Sequence, residues 1–325
     1  MDANVHILRS GVQRVQRIAR QVSPTTMRAR ERSRRIAAAQ HRAWARTLSL
    51  LLHEPERHCR RIARANLRFT AALDRTRFSR QSADQIRDRS ESITWLQEAE
   101  YRAFCQHHRG SHILATTHFG DYVHCLNPLA GTYSAGGATA DGAAGTAIRH
   151  LIIREKWPDR VSLANLSDDF SNRAVAPPQI LISSQVNVLM LRDLLRTRVC
   201  TLTSFFDLPA SHGAVVPVTF LGQPAWFSAG VASLAITAAV PIVPVVTYSR
   251  GRRNHLVLGP LLMPEARYGE RFPDTRIRIT QSLINWHESW LRRYPEQWRY
   301  LPNLPAYFKK PGVEPHDFNS KAKET

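Results

Sequence analysis

Lysine and acid are both scarce in this chain. Of 45 Lys and Arg residues only Lys156, Lys309, Lys310, Lys321 and Lys323 are lysine, and just 26 Asp and Glu oppose them. The formal net charge of +19 is therefore carried by arginine. Such an excess points to polyanionic company, whether nucleic acid, anionic lipid head groups or an acidic carrier. Cysteine is equally sparse: Cys59, Cys105, Cys125 and Cys200 lie far apart with no C-x-x-C pair, which argues against a zinc ribbon and a disulfide scaffold and predicts a reducing compartment. No uninterrupted apolar run reaches the roughly 18 residues that a spanning helix needs, and the opening residues lack the apolar core and cleavage site of a secretory signal. The Gly-rich stretch 131–146, "GTYSAGGATADGAAGT", has neither the G-x-x-x-x-G-K-[ST] nor the G-x-G-x-x-G spacing, so it reads as a loop near the strand ends that does not cradle phosphate. No zinc-finger spacing, helix-turn-helix phrase or aromatic-interleaved basic strand pair accompanies the charge, so nucleic acid is not the expected partner.

What is present is a globular composition, 43% hydrophobic and 22% charged over 325 residues, enough for one large domain with an appendage. Near the start, Val5, Leu8, Val12, Val15 and Val22 recur at helical steps among arginines, and the only acid before Arg30 is Asp2. This predicts a basic amphipathic helix, lying on a membrane surface or packed on its own domain. Residues 31–108 read as helical throughout. Beyond Gly110 the texture changes: "HILATT", "RVSLANL", "VCTLTSFF", "AVVPVTFL", "IVPVVTYS" and "HLVLG" alternate with helical stretches such as "ISSQVNVLMLRDLLRT" and "SAGVASLAITAA". That alternation predicts an α/β fold, a largely parallel central sheet flanked by helices, with a helical N-terminal extension. A long helix over 277–293, stopped by Pro295, follows. The expected divisions are 1–54 (basic helical extension), 55–310 (α/β domain) and 311–325 (polar tail).

Chemistry is expected at the carboxyl ends of the strands, where an open α/β sheet leaves a crevice. His118 follows "ILATT" directly and is the candidate general base; Asp121 lies three positions on, in the first turn of a following helix, where a carboxylate is favoured. His124 and Cys125 read as helix-packing residues, and Trp298 as packing for the last helix.

Several phrases, taken together and in order, resemble the lauroyl/myristoyl acyltransferases of late lipid A biosynthesis, which have the lysophospholipid acyltransferase-like fold. "RRIARANLRF" is similar to the family's arginine-rich helix, "HFGDYV" to its "HFGNWE" block, and Asp207 with "AVVPVTFLGQPA" to its acidic strand end and "FVPFFGQPA". "GVASLAITAAVPIVPV" and the terminal "PEQW" complete the series, over roughly 55–300. The resemblance implies acyl transfer from acyl carrier protein or acyl-CoA as co-substrate to a hydroxyl or amine, with no metal and no other cofactor. It implies His118 as base, Asp207, Gly222 and Gln223 at the substrate crevice, and Arg149 and Arg154 against a phosphate-bearing substrate. It also implies a cytoplasmic site of action, peripheral on the inner face of the cell membrane, with an anionic membrane surface as a partner. The sequence departs from the family at the acid five residues after the base, which is Val123 here. Three alternatives follow: Asp121 serves as the partner, Asp207 or Asp141 reaches His118 from another loop, or the site no longer catalyses and binds a lipid or a carrier-linked chain. A nucleophilic amine acceptor tolerates a weakened base better than a sugar hydroxyl, which favours an acceptor other than lipid A.

Overall fold

The computed structural model describes residues 42, 44–78, 93–108, 110–122, 150–154, 179–182, 187–210, 213–251 and 253–310, with backbone alone at some of these. The predicted helix over 4–22, the loop 131–146, the strand "RVSLANL", and Val123, His124, Cys125, Asp141 and Arg149 lie outside them. The chain divides at Ala63/Arg64 into two compact units.

In the first unit a helix over 44–52 buries Ala45, Leu48, Leu51 and Leu52. It ends at His53, whose φ of 55° is left-handed, and the Ser49 hydroxyl and the Glu54 N–H close the turn onto the backbone. Helix α1, Glu56–Phe78, starts there and crosses the division between the units.

The second unit is α/β. Its elements after α1 are β1 (Ile93–Trp95), α2 (Glu98–His108), β2 (His112–Thr116), β3 (His150–Arg154), β4 (Gln179–Ile182), α3 (Val188–Thr197), β5 (Thr201–Phe205), β6 (Val215–Phe220), β7 (Gln223–Ser228), α4 (Gly230–Ala238), β8 (Ile242–Arg250), β9 (Arg253–Leu258), α5 (Phe272–Arg293) and a short α6 (Leu304–Tyr307). Seven strands form one sheet in the order β1-β9-β8-β2-β5-β3-β4. Every pairing is parallel except the β8–β9 hairpin. Strands β2 and β8 are buried almost throughout, as expected of central parallel strands covered on both faces. On one face Tyr101 of α2 packs over Leu114, Val243, Val245 and Leu256; α4, mostly small and apolar, packs against β2 and against α3 and α5.

Three local expectations are corrected. Residues 31–108 are not helical throughout: Ile93–Trp95 is a strand beside β9, built from β-branched and aromatic residues, and α2 begins only where Glu98 and Glu100 supply a negative first turn. "AVVPVTFL" forms β6 but stays outside the main sheet, in an antiparallel pair with β7. Its two-residue turn, Leu221-Gly222, has φ of 52° and 77°, the geometry of the tight hairpin turns that match strand twist. Helix α5 starts at Phe272, five residues before 277, because the Asp274 carboxylate accepts the Arg271 N–H and Pro273 fits the first turn.

Candidate active site

Strands β2 and β5 are neighbours in register, with Thr116 opposite Phe205. The chain leaves β2 toward β3 on one side and leaves β5 toward β8 on the other. Because β2 and β5 are parallel, both end at the same rim of the sheet. Two residues beyond the paired Thr116 and Phe205 come His118 and Asp207, so equal offsets bring imidazole and carboxylate together across 89 residues of sequence.

His118 Nδ1 lies 2.8 Å from Asp207 Oδ1, and the His118 backbone N–H donates to Oδ2 at 2.7 Å. The same Oδ2 accepts the Trp298 indole N–H at 2.9 Å, and the Asp207 carbonyl accepts the Tyr307 hydroxyl at 2.7 Å. Asp207 is fully buried while the His118 side chain keeps 14% of its surface exposed. Burial alone pushes the Asp207 carboxyl up, but the charge and hydrogen bond of His118, joined by His287 acting through space and by the Trp298 N–H, outweigh it and hold the pKa below the ordinary carboxylate range. A carboxylate on Nδ1 selects the tautomer that leaves Nε2 as an acceptor, and no hydrogen bond from a described residue reaches Nε2. The ring stacks on Phe205 at 4.0 Å between centroids, with Tyr300 and Tyr122 edge-on at 4.8 and 5.1 Å.

The backbone around His118 is tied on two sides. Its carbonyl accepts the Arg299 N–H, Gly120 N–H donates to the Gln297 carbonyl, and Phe119 bridges Trp298. On the other side the Thr247 hydroxyl donates to the Phe119 carbonyl. Gly120 has φ of 59°, and a Cβ there would meet the Thr247 carbonyl oxygen at 2.4 Å, so the "HFG" phrase needs its glycine for this close approach. The "PEQW" turn is held in its own right. Asn66 of α1 donates to the carbonyls of Glu296 (2.9 Å) and Trp298 (2.7 Å), and the Gln297 amide pairs with both backbone groups of Ser249. Arg299 pairs with Asp74 at 2.7 Å.

The carboxylate on His118 is thus Asp207 and not Asp121, which is buried and has interactions of its own. Asp207, expected at the crevice as a substrate contact, is instead enclosed behind the histidine. Gly222 and Gln223 make the hairpin turn and open its second strand; Phe220, just before them, packs at 6.1 Å on Trp298. Arg154 ends β3 at the level of Phe205, two strands from β2. Sequence reading assigns no role to Asn66, Gln297 or Tyr307, and gives Trp298 a packing role only. The one legible signal for Trp298 is its place in "PEQW". Among the described residues no group of three His, Cys, Asp or Glu side chains is placed to hold a metal, and no helix is long and apolar enough to cross a membrane.

No protein-family model matches the chain, and no curated protein matches it at a significant level.

Proposed function

We propose that this protein transfers a fatty acyl group from an acyl thioester, on acyl carrier protein or coenzyme A, to an amine or hydroxyl acceptor, with His118 as general base. The observation that carries the reading is the 2.8 Å contact between His118 Nδ1 and Asp207 Oδ1 at the carboxyl rim of the sheet. Asp207 takes the part of the acid missing at Val123: it holds the tautomer and balances the imidazolium. Nε2 removes the acceptor's proton as its lone pair attacks the thioester carbonyl. The tetrahedral intermediate then expels the thiolate, which takes the proton back from Nε2. No described serine, threonine or cysteine hydrogen-bonds Nε2, which favours direct attack by the acceptor over an acyl-enzyme.

The family resemblance supports the same reading. Asn66, His118, Asp207 and Trp298 come from four of its separate phrases, and a continuous chain of hydrogen bonds links them. The net charge and the absence of a spanning helix among the described residues fit peripheral attachment to an anionic membrane surface on the cytoplasmic side.

The test is thiol release and acylated product from dodecanoyl-carrier protein or dodecanoyl-CoA with amine and hydroxyl acceptors. Turnover should vanish in His118→Ala; equal turnover in wild type and variant would remove the reading. Co-sedimentation with phosphatidylglycerol vesicles, with and without residues 1–30, tests the membrane part: equal sedimentation of both forms removes that segment from it.

A further inference from the structure

Helix α1 carries a line of arginines that the dyad does not use. At about 100° per residue, Arg57, Arg61, Arg64, Arg68 and Arg75 fall within an arc of about 60°, and no other α1 residue falls there. All five are exposed, and none pairs with an acid among the described residues. Some exposed arginines elsewhere are paired, Arg102 with Glu98, Arg271 with Asp274 and Arg292 with Glu288, and others, Arg196 and Arg253 among them, are exposed without an acid partner among the described residues; what sets α1 apart is the alignment of its arginines along one line. The line on α1 is therefore an unneutralised ridge. Its part from Arg64 to Arg75 extends over about 16 Å.

Asn66 points to the opposite side of the helix from this line, and there it holds the Trp298 carbonyl. The Trp298 indole lies 2.9 Å from Asp207. The ridge thus stands roughly one helix diameter, about 10 Å, behind the turn that supports the dyad.

We infer that Arg64, Arg68 and Arg75 dock an acidic carrier protein that presents the acyl thioester on a flexible arm; this rests on the acyl-transfer reading above. The occupant follows from charge and shape. A free nucleotide thioester calls for a concave pocket, whereas a straight ridge of guanidinium groups on a convex helix matches a row of carboxylates on another folded surface. Insertion into lipid calls for an outward apolar face, whereas the arc of α1 that carries the line holds arginine alone, with one exposed leucine, Leu67, to its side.

The experiment compares the full-length protein with the triple variant Arg64→Glu, Arg68→Glu and Arg75→Glu, using dodecanoyl-carrier protein and dodecanoyl-CoA as alternative donors. The variant should raise KM for the carrier-bound donor by about tenfold or more, leave kcat/KM for dodecanoyl-CoA within about twofold, and melt like wild type. Raised ionic strength should weaken carrier use by wild type and change the variant little. Fluorescence anisotropy of labelled carrier protein supplies a readout independent of turnover. Salt-sensitive binding lost in the variant supports the surface even where no acyl acceptor is turned over, which would count against the enzymatic reading alone. Unchanged carrier kinetics and binding, equal loss with both donors, or a loss confined to binding of anionic vesicles or nucleic acid would overturn the assignment.

Discussion

His118 at the rim of the sheet and His287 in the core behind it are the same residue in opposite surroundings. His118 keeps part of its ring exposed and gives one nitrogen to Asp207. His287 is completely buried, and among the described residues neither ring nitrogen has a hydrogen-bond partner. Phe119, Phe206, Phe220 and Trp298 enclose it, the nearest being Trp298 at 4.8 Å between centroids. Burial pushes its pKa down to about 4 against the pull of Asp207 and Glu288. A buried carboxylate therefore faces one imidazole through a hydrogen bond and another only through space. Contact with Asp207, more than nearness to it, makes one ring a candidate base and leaves the other a neutral piece of core.

The sharpest break in this contrast is Asp207→Asn. An amide keeps the shape but no longer selects the tautomer with a free Nε2, and the loss on removing the orienting carboxylate of a comparable triad is of the order of 10⁴ in turnover. Thiol-release kinetics measure it; turnover within about twofold of wild type would show that the dyad does not act as a unit. Trp298→Phe is milder. It removes one of the two donors on Oδ2, a bond to a charged acceptor worth about 2 kcal/mol, with turnover falling on the order of tenfold. Its pH signature follows from the depressed pKa of Asp207. Stability from that depression is present above the unfolded carboxylate pKa of about 3.9 and is lost as pH falls through the folded value. Losing the indole donor raises the folded value and shrinks that contribution. Urea unfolding at pH 7 and at acid pH should therefore show a gap between wild type and variant that narrows on acidification, and a constant gap would assign Trp298 to packing alone.

How much of this can be read before folding depends on sequence distance. The strands from "HILATT", "VCTLTSFF" and "IVPVVTYS", and helix α4 from "SAGVASLAITAA", follow from local periodicity, because burial on both sides or along one face writes itself into consecutive residues. His118 is legible as the residue just beyond an apolar strand. Its partner is not: spacing leaves Asp121, Asp141 and Asp207 all open, and only the adjacency of β2 and β5, a property of strand order, brings residue 207 to residue 118. Asn66 and Trp298 are hidden for the same reason, since their hydrogen bond spans 232 residues. The Ile93–Trp95 strand is too short for alternation to separate it from the helical text around it.

The smallest expected change in turnover comes from the buried ring itself, and it carries the clearest pH sign. His287 has a folded pKa of about 4 against about 6.5 when unfolded. Between those values the unfolded chain binds a proton that the folded chain refuses, so stability rises with pH through that window and falls as pH drops through it. Across the whole window the difference is on the order of 3 kcal/mol. His287→Phe keeps an aromatic ring and removes the titration, so turnover should stay within about threefold of wild type while the acid-side slope flattens. Any cost of fitting the larger ring shifts both ends of the curve together and leaves the slope unaffected. The acid-linked losses of Asp207 and Glu270 belong to lower pH, since both have depressed carboxylate values. His255, also lowered by burial, is common to both proteins. The difference between the two urea-derived stability curves from pH 4 to 6.5 therefore isolates His287. Parallel curves would mean that the ring is already protonated in the fold and held by Asp207 after all, which would make the two histidines alike where they are taken here to be opposites.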